Sequence, residues 1–297
     1  MKKMCLWLLF LTGIAGSRTG MAEEPYYLNF HRGGGVERPE NTLETFLWAW
    51  NLGVIPEGDV QFTKDGVAVM FHDRNIGRLA WGIPDEMKNR KISEMTWEDV
   101  RKLDVGRYCG EAFAGERIPT LESVLAAMSG FPERLLYQDE KGLTDEHLER
   151  IAQKSKQYGL EKQLFFTSGN YARMLRWNEI CPQGVGMLWL GYVWTPDKKC
   201  NMPGLEAKLD ELRKADFQGV THLVLHIQTD FNQADPFSPS SEFLRKLAAE
   251  MKERGIPLEI ITWSNGQNPR TYEELQKLGI TGFATDYPSV LLKVLDK

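Results

Sequence analysis

The sequence predicts a (β/α)₈ barrel with a small insertion after the second strand, a fold of the α/β class. Eight short apolar segments alternate along the chain with eight amphipathic segments, which is the pattern of strands and helices in a parallel sheet. The length, 297 residues, is typical of one barrel with its loops. An open doubly wound sheet is the alternative, but the segment HRGGGVERPEN lacks the glycine spacing of its phosphate loop.

The predicted strands are short apolar runs with β-branched and aromatic residues. They are Tyr27–Phe30, Glu57–Phe62, Leu135–Gln138, Leu164–Thr167, Val185–Leu190, Leu223–Ile227, Leu258–Thr262 and Gly282–Ala284. The predicted helices lie between them, several of them after a Thr or Ser cap and before a Gly. They are Leu43–Leu52, Leu121–Met128, Asp145–Tyr158, Tyr171–Ile180, Gly204–Ala215, Ser240–Arg254, Arg270–Leu278 and Ser289–Leu295.

Residues 1–22 have the pattern of a signal peptide, with two lysines before a short apolar run and small residues before a cut after Ala22. An uncleaved membrane anchor is the alternative. We therefore expect export to the periplasm or the cell exterior, a barrel domain over residues 23–297, and no stable membrane span after cleavage. About residues 74–120, which follow a hairpin at Val67–Phe71, are predicted to form the insertion over the barrel mouth.

The composition argues against one class of partner, and the substrate is expected to be a small molecule. The net charge is −5 and no long basic run exists, which argues against nucleic-acid binding. The sequence leaves the oligomeric state open. After cleavage three cysteines remain, so at most one internal disulfide can form. Cys181 and Cys200 are the candidate pair, with buried free thiols as the alternative, and Cys109 completes the set.

Three carboxylates are predicted to meet at the mouth, where the carboxyl ends of barrel strands carry active sites. Glu57 and Asp59 stand two residues apart on the second strand, so both point to the same face, and Asp139 follows the third strand. Like charges pointing inward are costly unless a cation neutralises them. Three oxygen ligands favour Mg²⁺ or Ca²⁺.

Two histidines and two positively charged side chains are expected beside this cluster. His31 and His72 carry protons near neutral pH and are the candidate acid/base pair. Arg32 and Lys141 supply positive charge for an anion such as phosphate. The neighbouring Asp73 is expected to orient the His72 turn.

Other residues receive weaker expectations. Asp286 is expected to hold the last loop. His147 is expected to be a solvated helix residue, and His226 is a lesser candidate at the mouth. His222 lacks neighbouring carboxylates. Three aromatic residues near the fifth strand could contact the substrate beyond phosphate, although core packing is favoured for the first of them. They are Trp189, Tyr192 and Trp194.

An ordered set of motifs across the chain resembles the glycerophosphodiester phosphodiesterase family. The motifs are HRG at 31–33, PENT at 39–42, E-x-D at 57–59, TKDG at 63–66, FHD at 71–73, D-x-K at 139–141, W-x-N at 263–265 and TDYP at 285–288. The resemblance implies a barrel that hydrolyses a glycerophosphodiester in lipid metabolism with a divalent metal. It implies metal ligation by Glu57, Asp59 and Asp139, and acid/base catalysis by His31 and His72.

The resemblance also implies a phosphate-binding group around these residues. Its members are Arg32, Glu40, Asn41 and Lys141, and Trp263 of the W-x-N motif is a further candidate for substrate binding. The chain departs from the family where Glu is usual at Asp139 and a larger residue is common at Gly58; Pro56 is also unusual. A lyase that stops at a cyclic phosphate, as in the related sphingomyelinases D, and a non-catalytic phosphate-binding barrel are the alternatives.

Overall fold

The structure is a computed structural model that describes residues 27–191 and 200–296. Ten strands form the sheet, eight of them in a parallel ring and two as short antiparallel additions. The strands are β1 Tyr27–Phe30, β2 Ile55–Phe62, β3 Ala68–Met70, β4 Leu136–Glu140, β5 Leu164–Ser168, β6 Val185–Leu190, β7 His222–Thr229, β8 Phe237–Ser238, β9 Leu258–Thr262 and β10 Gly282–Thr285.

The ring runs β1-β2-β4-β5-β6-β7-β9-β10 and closes by pairing of β10 with β1. It is a closed (β/α)₈ barrel, as the sequence predicts, and β3 and β8 pair antiparallel with β2 and β7. The helices lie between the strands. They are α1 Leu43–Asn51, α2 Trp97–Val100, α3 Leu121–Met128, α4 Asp145–Tyr158, α5 Tyr171–Ile180, α6 Met202–Lys214, α7 Ser241–Arg254, α8 Pro269–Lys277 and α9 Pro288–Val294.

Helix boundaries follow local chemistry. The hydroxyl of Thr144 accepts the backbone N–H of His147 at the start of α4, which satisfies one of the free donors of the first turn. The same helix ends at Gly159, and α7 ends at Gly255, both with left-handed backbones (φ 69° and 68°). Glycine adopts this conformation without a steric cost, so the two helices end where the sequence predicts.

Alternation along the strands separates the barrel interior from the layer beneath the helices. In β4, Tyr137 belongs to the inner apolar cluster and Leu136 to the outer one. The inner cluster fills the barrel with Tyr137, Phe165, Met187, Val224, Ile261 and Ala284. Because the same alternation continues along each strand, polar residues at the strand ends face the mouth above this cluster.

The insertion after the β2–β3 hairpin has a small core of its own. Eleven buried residues form this cluster, among them Val69, Phe71, Ile76, Leu79 and Ile92. Apart from the four-residue helix α2, its regular structure consists of 3₁₀ turns such as Ile76–Arg78 and Arg107–Cys109. This core fixes the insertion beside the mouth without a long helix.

All three cysteines of the expected mature chain are free thiols. Cys181 and Cys200 are buried, and burial raises the pKa of the Cys200 thiol to about 11. The reduced alternative is therefore the one found in the structure. Within the described ranges, no helix has the length and apolar character needed to cross a membrane.

Candidate active site

A cavity of about 200 Å³ opens at the carboxyl ends of the barrel strands. Larger cavities of about 310 and 590 Å³ lie on the outside of the barrel, but no histidine lines them. Seven of the site residues expected from the sequence line the mouth cavity. They are His31, Arg32, Glu57, His72, Asp139, Lys141 and Trp263.

The three expected carboxylates come together. Glu57 and Asp59 project from β2 to the same side, and the β2–β4 register places Asp59 beside Asp139. One carboxylate oxygen from each residue lies within 4.8 Å of the others, and all three residues are buried. The cluster consists of oxygen donors only, which is the ligand chemistry of Mg²⁺ and Ca²⁺. These residues could therefore hold a divalent cation.

Electrostatics within the cluster agree with a cation site. Burial and the neighbouring charge of Asp59 raise the pKa of Glu57 to about 8. The pKa of Asp59 is lowered despite its burial, because the charge of Lys141 and a hydrogen bond from Asn41 stabilise its carboxylate. Burial raises the pKa of Asp139. Without a cation, the cluster retains a proton that a cation can replace.

Backbone and amide groups orient two of the carboxylates. The backbone N–H of Arg32 donates to Glu57 Oε2 at 2.7 Å. Asn41 Nδ2 donates to Asp59 Oδ2 at 2.7 Å, and the Asp59 N–H donates to Asn41 Oδ1 at 2.8 Å. Arg32 and Asn41 both have left-handed backbones (φ 52° and 58°), a conformation that non-glycine residues rarely adopt. Local backbone strain thus accompanies the placement of the cluster.

Asn41 and Glu40, which are expected in the phosphate-binding group, are buried and bond to neighbouring site residues. Asn41 is 2 % exposed, and both ends of its amide bond Asp59. Glu40 is 6 % exposed and binds Arg32 and Arg78. Neither residue lines the cavity, so both act behind the residues that do. Gly58 permits this packing, since an added Cβ would lie 2.7 Å from Phe46 and 3.1 Å from Asn41 Oδ1.

Lys141 and Trp189 hold the third carboxylate. The Lys141 ammonium bonds Asp139 Oδ2 and lies 3.0 Å from Asp59 Oδ1. Although burial opposes it, the charges of these two acids raise the pKa of Lys141, which keeps the ammonium charged. The Trp189 indole N–H donates to Asp139 Oδ1 at 3.1 Å. Core packing therefore describes only part of the role of Trp189. Its ring packs on the inner cluster, and its N–H binds Asp139 in the site.

His31 is paired with an acid that the sequence interpretation assigns only to the last loop. Its Nδ1 lies 2.6 Å from Asp286 Oδ1. Burial alone would lower the pKa of His31, but the hydrogen bond and charge of Asp286 outweigh burial and raise it. The sequence offers one indication that Asp286 belongs to the site: it directly follows β10 and therefore lies at the mouth. The pairing with Asp286 thus favours the protonated form of His31.

His72 has two different partners. Its Nδ1 lies 2.8 Å from Asp73 Oδ1 and its Nε2 lies 3.0 Å from Arg32 Nη2. A guanidinium has only donors, so Nε2 must accept and the ring proton must be on Nδ1, where Asp73 accepts it. Tautomer and orientation therefore follow from the two partners, and Nε2 keeps a lone pair.

A second acidic group lies behind His72, and arginines already occupy it. Glu40, His72 and Asp73 have ligand atoms close enough to hold a metal. Arg78 of the insertion, however, bonds both Glu40 and Asp73, and Arg32 also bonds Glu40. Because guanidinium groups neutralise these carboxylates, we do not regard this group as a metal site. No spacing in the sequence indicates that Arg78 binds these carboxylates.

The opposite side of the mouth is aromatic. The Trp189 and His226 rings are stacked 5.2 Å apart, and the Trp263 ring meets His226 at 5.3 Å and His31 at 5.5 Å. Burial lowers the pKa of His226 to about 3, so its ring is uncharged near neutral pH. His226 is thus part of the cavity wall. The expected contacts of Tyr192 and Trp194 lie outside the described residues.

The fold and this mouth define a (β/α)₈ barrel protein with two histidines beside a candidate cation site. The chain belongs to the glycerophosphoryl diester phosphodiesterase family, whose model matches residues 31–290. The family resemblance of the sequence motifs is thereby confirmed, and the family is one of enzymes.

Relatives match nearly the full chain. A glycerophosphodiester phosphodiesterase of Caldanaerobacter subterraneus is 26 % identical over 270 residues, which cover 90 % of this chain and 96 % of the relative. YhdW of Bacillus subtilis is 27 % identical over 278 residues, covering 90 % and 97 %. Lysophospholipase D GDPD1 of Homo sapiens is 28 % identical over 283 residues, covering 88 % and 83 %.

Solved structures share the fold. An Oleispira antarctica phosphodiesterase, crystallised in complex with the product sn-glycerol-3-phosphate, aligns with a TM-score of 0.68 at 21 % identity and covers 92 % of this chain and 98 % of its own. The glycerophosphodiester phosphodiesterase of Thermotoga maritima aligns with a TM-score of 0.60 at 20 % identity and covers 93 % and 100 %.

Proposed function

We propose that the protein hydrolyses a glycerophosphodiester to glycerol phosphate and an alcohol, with a divalent cation and acid/base catalysis by His31 and His72. The observation that carries this proposal is the pair of histidines at one mouth with different hydrogen-bond partners. His31 Nδ1 pairs with Asp286, which favours its protonated form, and His72 Nε2 accepts from Arg32 Nη2, which leaves a lone pair on that nitrogen. A general acid needs a proton to donate and a general base needs a free lone pair.

The polar half of the mouth would bind the phosphate. Arg32 and Lys141 line the cavity and carry the positive charge that an anionic diester needs. Glu57, Asp59 and Asp139 would hold the cation. A cation bound there would stabilise the charge that develops on phosphate oxygens.

His72 would act as the base. Arg32 Nη2 donates to His72 Nε2 in the substrate-free protein, and a phosphate competes for the same guanidinium. Binding of the diester would therefore release the Nε2 lone pair. That nitrogen would deprotonate either water or the adjacent hydroxyl of the substrate, and in the second case a cyclic phosphate forms and is then opened.

His31 would act as the acid. Its pairing with Asp286 keeps the ring oriented, and the ring lies against Trp263 at the aromatic side of the mouth. Donation of its proton to the leaving oxygen lets the alcohol depart uncharged. We expect the alcohol to lie along the aromatic wall.

The decisive experiment is an activity panel on the purified protein. It contains small glycerophosphodiesters and a lysophospholipid, since one relative is a lysophospholipase D, each with Mg²⁺, with Ca²⁺ and with a chelator. We expect glycerol phosphate as the product, loss of activity in chelator and recovery with one of the cations. Phosphorus NMR separates hydrolysis from a lyase reaction, because a lyase would leave the cyclic phosphate as the end product.

Two results would contradict the proposal. Full activity in chelator would exclude a cation on the carboxylate cluster as a requirement. Phosphate binding without turnover of any diester would favour the non-catalytic barrel.

We also propose that the chain is exported and that residues 1–22 are removed. The support is the leader pattern of lysines, a short apolar run and small residues. Mass spectrometry of the mature N-terminus, together with fractionation, tests it, and an intact N-terminus in the membrane fraction would favour an anchor instead.

A further inference from the structure

Arg78 lies at the junction between the insertion and the candidate active site. Its Nε and Nη2 donate to the two oxygens of Asp73 at 2.6 and 2.8 Å. Its Nη1 and Nη2 donate to the two oxygens of Glu40 at 2.8 and 2.7 Å. One guanidinium thus binds two carboxylates, each in a bidentate manner, which only the planar fork of arginine can do.

These contacts close a ring of hydrogen bonds around His72. Asp73 accepts from His72 Nδ1, His72 Nε2 accepts from Arg32, and Arg32 donates to Glu40. Glu40 and Asp73 both accept hydrogen bonds from Arg78, which closes the ring. Every member is therefore fixed from two sides, and the two members expected to contact substrate, His72 and Arg32, are opposite Arg78 in the ring.

The insertion places Arg78 with little freedom. It ends the 3₁₀ turn Ile76–Arg78, in which Asn75 Oδ1 accepts the Gly77 N–H at 3.3 Å. Ile76 and the following Leu79 are 0 % and 1 % exposed in the core of the insertion. An added Cβ at Gly77 would lie 2.7 Å from the Lys88 carbonyl oxygen, so glycine is required for this packing.

Arg78 does not line the mouth cavity, and its side chain is 45 % exposed on the outer side of Glu40 and Asp73. It therefore acts through other residues. Building on the function proposed above, we propose that Arg78 is a positioning residue for diester cleavage, which fixes the tautomer of His72 through Asp73 and the orientation of Arg32 through Glu40. The insertion would thus contribute to catalysis although none of residues 74–120 lines the mouth cavity.

The first test compares Arg78→Ala, Arg78→Lys and, as a matched control, Arg74→Ala, an exposed arginine four residues earlier. Loss of a residue that orients a reacting group typically costs about 10- to 100-fold, so we expect kcat of Arg78→Ala to fall by that factor while KM changes less. Arg78→Lys should recover only part of the loss, because an ammonium cannot bind both carboxylates in a bidentate manner. Arg74→Ala should match the wild type.

A double-mutant cycle with Asp73→Asn provides the second test. If Arg78 acts through Asp73, the two losses are not additive, and Asp73→Asn costs much less in the Arg78→Ala background than in the wild type. Equal costs in both backgrounds would overturn the proposal, as would a wild-type kcat for Arg78→Ala or Arg78→Lys.

The third test needs no substrate. In protein with ¹⁵N-labelled histidine, we expect the His72 ring of the wild type to show one tautomer, protonated at Nδ1, and that of Arg78→Ala to show a mixture. Unchanged His72 signals in Arg78→Ala would overturn the proposal. If the wild type cleaves no diester, the proposed function fails, but this measurement still decides the role of Arg78.

Discussion

At the scale of single residues, the two histidines of the site differ through their partners rather than through their own chemistry. Asp286 favours the charged ring of His31, whereas Arg32 requires an accepting nitrogen on His72. In the proposed mechanism these different partners would suit the two histidines to different proton transfers. This assignment makes the pair a direct target for substitution.

Replacing His31 or His72 by Ala should lower kcat by about 10²- to 10⁴-fold, the usual contribution of a general acid or base. His147→Gln serves as a control, because His147 lies on α4 outside the cavity. Steady-state kinetics with a melting curve for each variant tests this. Unchanged turnover of purified His72→Ala would reject the assignment.

Glu57 links cation binding to pH. Its pKa is 4.5 in an unfolded chain and about 8 in the folded protein, so the folded state binds the extra proton between these values. The free energy of unfolding therefore loses this contribution as pH rises through that window. A cation that replaces the proton on Glu57 would prevent this loss of stability at high pH. We expect Mg²⁺ or Ca²⁺ to raise Tm more at about pH 8.5 than at about pH 5.5.

Thermal melts with and without cation at both pH values check this prediction. Glu57→Gln, which cannot ionise, should show a small cation effect that no longer grows with pH. A shift in Tm that is equal at both pH values in the wild type would contradict it.

Trp189→Phe should weaken cation binding by about 10-fold, because it keeps a ring but removes the N–H that orients Asp139. Titration calorimetry measures the affinity. Trp177→Phe is the matched control: Trp177 is fully buried, and its indole nitrogen has no acceptor among the described residues. Equal affinities for the two variants would show that the bond to Asp139 is unimportant.

The sequence predicts the residues that line the mouth but not those that support them. His31, Glu57, His72, Asp139 and Lys141 could be predicted because each lies on a strand or just after one, and the barrel brings these segments together at its mouth. The contact between His31 and Asp286 joins residues 255 positions apart. Nothing in the local pattern pairs such residues, and a side chain such as Arg78 in an irregular segment gives no periodic signal.

At the scale of elements, the strands were predictable because both faces are buried, which gives continuous apolar runs. Bounds differ by one or two residues, as in β2, which begins at Ile55 instead of Glu57. The two-residue strand β8 and the 3₁₀ turns of the insertion were not predicted, because segments this short show no hydrophobic period.

Gly159 gives a prediction at this scale. Replacing it by Ala should destabilise the protein by about 1 kcal/mol, the cost of a left-handed backbone for a residue with a Cβ. No described atom would lie within 4 Å of the added Cβ, so backbone strain is the cause. Urea unfolding measures it, with Gln153→Ala on the exposed side of α4 as a control expected to change little. Equal stability of the two variants would contradict the prediction.

At the scale of the whole molecule, the barrel divides its mouth into two halves. Charged residues come from β1, β2 and β4, and aromatic rings come from β6, β7 and β9. The ring order of the strands follows the chain order, so this division could in part be predicted once the barrel was assumed. Its aromatic half was predicted only in part. Trp263 and His226 were candidates at the mouth, whereas core packing was favoured for Trp189, which occurs in an apolar strand that resembles core.

The positions of the two histidines have a stereochemical consequence. His31 Nδ1 contacts Asp286 after β10, and His72 Nδ1 contacts Asp73 after β3. In the proposed mechanism one histidine would serve the departing oxygen and the other the entering oxygen, and the phosphorus atom would be displaced in line. With a substrate chiral at phosphorus through sulfur and oxygen isotopes, direct attack by water would invert its configuration. A route through a cyclic phosphate inverts it twice and would return the original handedness, so the configuration of the product identifies the nucleophile.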